Sequence, residues 1–360
     1  MATDMLVGPW PDEAIPPGEL LADTLAAKGI SQTELAKRTE RPIQALNEMI
    51  KGKKAITPET ALELERVLGT PAYIWLNLER DHQYNKARLE DLRRLSAQVE
   101  EARKYPYAEM AKLGWVPQVR DWVERVRALL SYFGVASLDA VPKMHAVAYR
   151  RSQRRDASPQ ALAAWLRKGE IEAAETETKP FDAQKLKAAL PRLRQMTQLS
   201  PEKFRRPLYD LCAECGVALV FVPHLPKTHA NGAVRWLNKS TVLVQLSVLH
   251  RYDDIFWFSL FHELAHPLLH GKKDVFVETT GDHRSEKEQE ADKFAADILI
   301  PPHEYTKLAA MPVYPQAAVI AFARRIGVAP SIVVGRLQHD ELLPPTHLNG
   351  LRNKFQIVGC

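Results

Sequence analysis

A chain of 360 residues, 46% hydrophobic and 26% charged, has a globular composition and the length of two or three domains. Its longest nearly apolar runs, such as 217–222, are far shorter than the roughly 20 residues that span a bilayer, the first residues hold acids and prolines where a leader has basic and apolar ones, and three cysteines imply no disulfide framework. The net charge of +5 is uneven, with 13 basic against 15 acidic side chains in 1–95, 21 against 14 in 96–210 and 15 of each in 211–360, so a nucleic-acid surface has to be a local patch. A cytoplasmic protein without membrane contact is expected.

Along the chain, Pro17 opens a helical run that Lys28-Gly29 closes. Ser31 stands at an N-cap with Glu34 three residues on, a capping box that opens a helix reaching Thr39. After the break at Glu40-Arg41-Pro42 a third helix is predicted over 43–50, closed by Gly52, and Thr57-Pro58 opens a fourth. Residues 71–210 read as mostly helical, with the polar stretch 168–180 as a loop. From Gly216 the texture changes, and VALVFV, GAVRWL and STVLVQLS read as strands separated by Asn231-Gly232 and Asn238-Lys239. A strongly apolar helix over 253–269, a short DVFVE run, a helix over 285–300 and two shorter helical patterns complete the chain. The expected fold is multidomain: an all-α helix-turn-helix domain at 1–90, a helical middle region at 91–210, and an α+β domain at 211–360 whose small sheet packs on the helix of His262.

That helix carries His262-Glu263-Leu264-Ala265-His266, an H-E-x-x-H. A spacing of four puts both imidazoles on one face, about a turn apart, where they can share one ion. Glu263, about 100° further round, is placed to act as the base that deprotonates an attacking water. Apolar flanks on nearly all sides imply a buried helix, and buried histidines and a glutamate need partners. A catalytic site also wants a third protein ligand, for which His270, His283, Glu286, Glu288 and Glu290 are candidates. His270 lies too far along the helix to converge on the same ion, and Pro267 should kink that segment. Glu288 and Asp292, four apart, share a face, so one can bind the ion while the other accepts a hydrogen bond from a ligand histidine.

HELAH, then E-x-x-A-D at 288–292, Phe294-Ala295-Ala296 and the ILIP at 298–301, resembles the ImmA/IrrE family of gluzincin metallopeptidases over about residues 210–345. The resemblance implies a zincin-like domain with Glu288 as third ligand to one zinc ion per chain, with Glu290 as the remaining alternative. It also implies cleavage of a helix-turn-helix repressor. Tyr252, His250 and Arg235 are candidates to stabilise an oxyanion, and gluzincins pair peptide with an edge strand, which suggests GAVRWL. Cys212 and Cys215 read as core thiols.

Residues 31–54 have the shape of a helix-turn-helix, whose second helix reads base edges from the major groove. Gln44 and Asn47 are placed to do so, Arg41, Lys51, Lys53 and Lys54 to hold phosphates, and Gln32 completes the candidate surface. The segment resembles the XRE-type repressor domain, and GKKAITPETALELERVLGTPAYIWLNLE resembles HigA-type antitoxins, together over about 15–90; Glu40 stands where that family often has Gly. The expected protein is a DNA-binding regulator with a zinc endopeptidase domain, a homodimer on a double-stranded operator, cutting a protein partner. The alternative is an antitoxin-like or metal-sensing transcription factor that uses the peptidase fold without proteolysis. Arg150, Arg151, Arg154 and Arg155 read as a solvated loop.

Overall fold

The computed structural model describes residues 12–144, 157–247, 251–270, 276–279 and 285–355. The arginine cluster at 150–155, His250 and His283 lie outside these residues. The chain divides into two compact units, Met1–Val99 and Glu100–Cys360, so the helices of 100–210 belong to the same unit as the C-terminal sheet. Among the described residues no single helix is long and apolar enough to cross a membrane.

The first unit holds five helices, α1 (Pro17–Lys28), α2 (Gln32–Thr39), α3 (Ile43–Ile50), α4 (Pro58–Leu68) and α5 (Ala72–Ala97). Their starts follow the local signals. Ser31 Oγ accepts the Glu34 N–H at 3.1 Å and Thr57 Oγ1 the Thr60 N–H at 3.3 Å, while Pro17 and Pro58 occupy first turns that need no donor. Only half of the expected capping box forms, because the Glu34 carboxylate accepts from Arg38 Nε at 2.9 Å one turn on. Glu40 ends α2 in the left-handed region at φ 54°, which costs a residue with a Cβ roughly 1 kcal/mol. Leu21, Leu35, Leu46, Leu64 and Trp75 are fully buried in one core. Gly18 lets α1 meet the end of α3, since a Cβ there would lie 2.3 Å from the Met49 and Ile50 carbonyl oxygens.

The second unit continues with α6 (Val99–Ala102), α7 (Tyr107–Lys112), α8 (Trp122–Phe133), α9 (Val141–Met144), α10 (Pro159–Ala174), α11 (Ala183–Gln195) and α12 (Pro201–Glu214). The loop expected at 168–180 is half helix, since α10 runs on to Ala174. The charges that suggested a loop are paired there, Glu170 with Arg167 at 2.8 Å and Glu172 with Lys168 at 3.3 Å, while Leu162, Trp165 and Leu166 are buried.

Six strands follow: β1 (Val217–Phe221), β2 (Ala230–Trp236), β3 (Val242–Leu246), β4 (Arg251–Tyr252), β5 (Phe276–Thr279) and β6 (Lys354–Phe355). Four form one sheet in the order β1-β3-β2-β5, with β1 parallel to β3 and β2 antiparallel to both neighbours; β4 and β6 pair separately. The remaining helices are α13 (Asp253–Leu269), α14 (Glu286–Leu299), α15 (Pro302–Ala309), α16 (Gln316–Ile326) and α17 (Pro330–His339), so three helices follow Pro301 where two were expected. Alternation along the strands sorts the two faces. Val234, Val242, Val244 and Leu246 join Phe256, Trp257, Leu260 and Leu264 of α13 in one core. On the opposite face, Gln245 donates to the Trp165 carbonyl of α10 at 2.7 Å, and Arg235 pairs with Glu170. Cys212 and Cys215 are buried free thiols in the main core, as expected, and burial pushes both thiols up.

Candidate metal centre

α13 is apolar on nearly every side and holds His262, Glu263 and His266 at 0–1% exposure. Pro267 does not end it: the helix runs on to Leu269, and the His270 N–H reaches the His266 carbonyl at 2.8 Å. α14 packs alongside and presents Glu288 and Asp292 to the same space. His262 Nε2 lies 3.0 Å from Glu288 Oε2 and 3.2 Å from His266 Nε2, and His266 Nε2 lies 3.6 Å from Glu288 Oε2. Donors about 2.0–2.1 Å from one zinc ion in a tetrahedral set would be separated by about 3.3 Å, so these three atoms suit such an ion. Among the described residues they form the one His/Cys/Asp/Glu cluster of this kind.

The outer nitrogens fix the tautomers. His262 Nδ1 donates to Asp292 Oδ1 at 2.9 Å, which leaves Nε2 as the lone-pair donor. His266 Nδ1 lies 3.0 Å from His270 Nδ1, and His270 Nε2 lies 3.1 Å from Glu290 Oε2. Donation from His266 to His270 and on to Glu290 leaves His266 Nε2 free of a proton. Glu290 and His270, two of the candidate ligands, therefore sit behind His266 rather than at the donor cluster, and Glu286 is exposed in the first turn of α14. Burial lowers the His266 pKa to about 4. Burial works the other way on Glu288, but the His262 and His266 side chains against it outweigh burial and lower its carboxyl to about 2. A neutral imidazole and an ionised carboxylate are the forms that bind metal.

Glu263 lies under β2. A Cβ added at Gly232 would come within 2.1 Å of Glu263 Oε1, so the carboxylate occupies space that only glycine leaves. The register of β2 against β5 slips at this point, between Ala230 and Gly232, which makes Asn231 the extra residue of a bulge. Sequence reasoning read Asn231-Gly232 as a turn; a glycine flanked by apolar alternation was the available signal for a close approach.

The other candidates are placed elsewhere. Arg235 points to the α10 face and is held by Glu170, away from α13. Tyr252 caps the start of α13 under the Arg352 guanidinium, 4.0 Å from its ring centroid, and ten residue steps along the helix, about 15 Å, separate it from His262. GAVRWL is not an edge over 232–234, where β5 pairs with β2, and β5 is itself an edge of the sheet.

In the first unit, Gln44 is exposed on α3 and donates to Glu48 at 3.1 Å, while Gln32 and Asn47 are half-buried. Lys51, Lys53 and Lys54 are exposed just beyond α3. Arg41 differs from them: it pairs with Glu63 of α4, which ties the turn to α4. Ile43, 44% exposed at the first position of α3, is a surface feature the sequence reading passed over.

These two parts define a chain that joins a helix-turn-helix unit to a peptidase-like domain with a His-His-Glu donor cluster. Comparison with known families agrees. The helix-turn-helix family model matches residues 21–75, and the peptidase M78 model, described as the IrrE N-terminal-like domain, matches residues 251–338. The chain thus belongs to the helix-turn-helix family at its N-terminal end and carries an IrrE N-terminal-like domain. It is 33% identical over 63 residues to the uncharacterized HTH-type transcriptional regulator YddM of Escherichia coli (strain K12), covering 18% of this chain and 67% of that one. It is 39% identical over 67 residues to virulence-associated protein I of Dichelobacter nodosus, covering 18% and 62%. The solved structure of an addiction module antidote protein of a HigA family from Coxiella burnetii is 31% identical, covering 25% of this chain and 94% of that one, with a TM-score of 0.21. The chain spans about two thirds of the length of the curated relatives it matches.

Proposed function

We propose that this protein is a DNA-binding transcriptional regulator whose C-terminal domain is a zinc-dependent endopeptidase that hydrolyses a peptide bond in a protein partner, a helix-turn-helix repressor. The observation that carries the reading is the convergence of His262 Nε2, His266 Nε2 and Glu288 Oε2 beside the buried Glu263. The domain of the peptidase M78 family supports it.

His262, His266 and Glu288 would hold the ion, with Asp292, His270 and Glu290 orienting the two imidazoles. When bound, a divalent ion would supply Lewis acidity at this site, for a carbonyl oxygen and for water. Glu263 takes the proton from the attacking water and returns it to the leaving amine. Its seat under Gly232 fixes where the carboxylate lies. β5, an edge strand of the sheet beside β2, would offer backbone groups to an extended substrate.

At the other end, α3 would enter the major groove, Gln44 and Asn47 would meet base edges, and Lys51, Lys53 and Lys54 would neutralise phosphates. Ile43 suits a thymine methyl group. Arg41 drops out as a phosphate contact while Glu63 holds it. Binding as a homodimer to paired half-sites follows from two-fold symmetry of such operators.

The test compares new protein N-termini in cells expressing the wild-type chain or Glu263→Gln. A cut in a helix-turn-helix repressor that appears with wild type and falls about 100- to 10,000-fold with the variant is expected. An identical set of N-termini in both would leave a regulator without proteolysis.

A further inference from the structure

Next to the metal donors lies a cavity of about 620 Å³, walled by α13, α14 and α17 and bordered by Pro345 and Arg352. Ile255, Ala296, Leu299 and Ile332 make its wall largely apolar. Its ionised groups are mostly already matched. Arg352 holds Asp254 through two hydrogen bonds of 3.0 and 2.8 Å, Arg336 holds Asp340 at 2.8 Å, and Asp292 accepts from His262. Lys293 and Asp297 remain on the lining, one turn apart on α14 and opposite in charge. Among the uncharged polar groups on the lining, Ser259 is buried, at 5% exposure.

We propose that this cavity binds a neutral, mainly apolar small molecule with one hydrogen-bonding group for Ser259, and that occupancy acts on the metal donors through Phe258 and Asp292. The volume falls within the 300–1,000 Å³ typical of small-molecule pockets and exceeds what a single substrate side chain fills. With no unbalanced charge on the lining, a charged ligand would lose hydration for nothing. Phe258 and Asp292 belong to both sites: each lines the cavity, Phe258 packs 6.3 Å from the His262 ring centroid, and Asp292 holds His262 Nδ1. A ligand that shifts either one changes how His262 presents Nε2. The binding claim stands apart from the peptidase reading; the coupling claim rests on the metal site.

The test titrates the full chain with the neutral probe N-phenyl-1-naphthylamine, read by fluorescence, beside Ala296→Trp and Ile255→Trp. Ala296 is half-buried and Ile255 is 37% exposed at the rim, so both positions have room to accept a larger side chain. One saturable site in wild type, weakened about tenfold or more in each variant while zinc content per chain is unchanged, is expected. Zinc affinity should then differ by roughly fivefold or more between probe-saturated and probe-free chain, with the same factor in the probe's affinity on zinc loading. No saturable binding, or equal affinity in wild type and both variants, overturns the site. Equal zinc affinity with and without probe overturns the coupling. Displacement by a blocked apolar tripeptide at micromolar concentration would make the cavity a substrate subsite and overturn the small-molecule assignment.

Discussion

Glu263 depends on what its neighbour lacks. With a Cβ at Gly232 only 2.1 Å from Oε1, Gly232→Ala must push either the carboxylate or the strand aside. About 1–3 kcal/mol of stability should be lost in denaturant melts. Partner cleavage should fall as far as in Glu263→Gln, with zinc content unchanged; full activity in Gly232→Ala would show that the seat is not specific. Behind His266 the chain His270–Glu290 invites the opposite test. Titration of His270→Ala with a competing chelator should show zinc binding weakened about 10- to 100-fold, and Glu290→Gln should weaken it less. Unchanged affinity in His270→Ala would mean that His266 is oriented by the helix alone.

Among the elements, α13 is anchored at its start by groups far along the chain. The Asp253 carboxylate accepts from Ser331 Oγ at 2.8 Å and from the Asn353 backbone N–H at 3.0 Å, and Asp254 takes the Arg352 guanidinium in a bidentate pair. Burial pushes both carboxyls up, and the hydrogen bonds and the Arg352 charge oppose it. Removing the guanidinium strands Asp254, 7% exposed, without its cation. Arg352→Ala should therefore cost about 3–5 kcal/mol in denaturant unfolding, and a loss under 1 kcal/mol would contradict the anchor. None of this was legible in the sequence, because Asp254 and Arg352 are 98 residues apart and no local period joins them. The local signals did carry the helix starts at Ser31 and Thr57, the HELAH helix and three of the strands. They failed where tertiary pairing outweighs composition: the acids of α10 read as loop until Arg167, Lys168 and Arg235 are seen beside them. Glu288 stood out as a candidate through its spacing from Asp292 and the family pattern, whereas the contacts of His270, Glu290 and Gly232 needed the third dimension.

At the scale of the whole molecule, the proposed function joins an operator-binding end to a hydrolytic end, and each makes a separable demand. DNA affinity should fall with salt, and replacing Lys51, Lys53 and Lys54 by Ala should lower the slope of log affinity against log salt by about 2.7, at about 0.9 per phosphate. A slope unchanged in the triple variant would place the phosphate contacts elsewhere. The hydrolytic end is tested most directly by metal analysis of the purified full chain, wild type beside His262→Ala, Glu288→Ala and Glu263→Gln. About one zinc per chain in wild type and in Glu263→Gln, lost or sharply weakened in the other two, is the expected result. Full zinc in Glu288→Ala, or none in wild type after reconstitution, would contradict a His262–His266–Glu288 centre and with it the proposed hydrolysis.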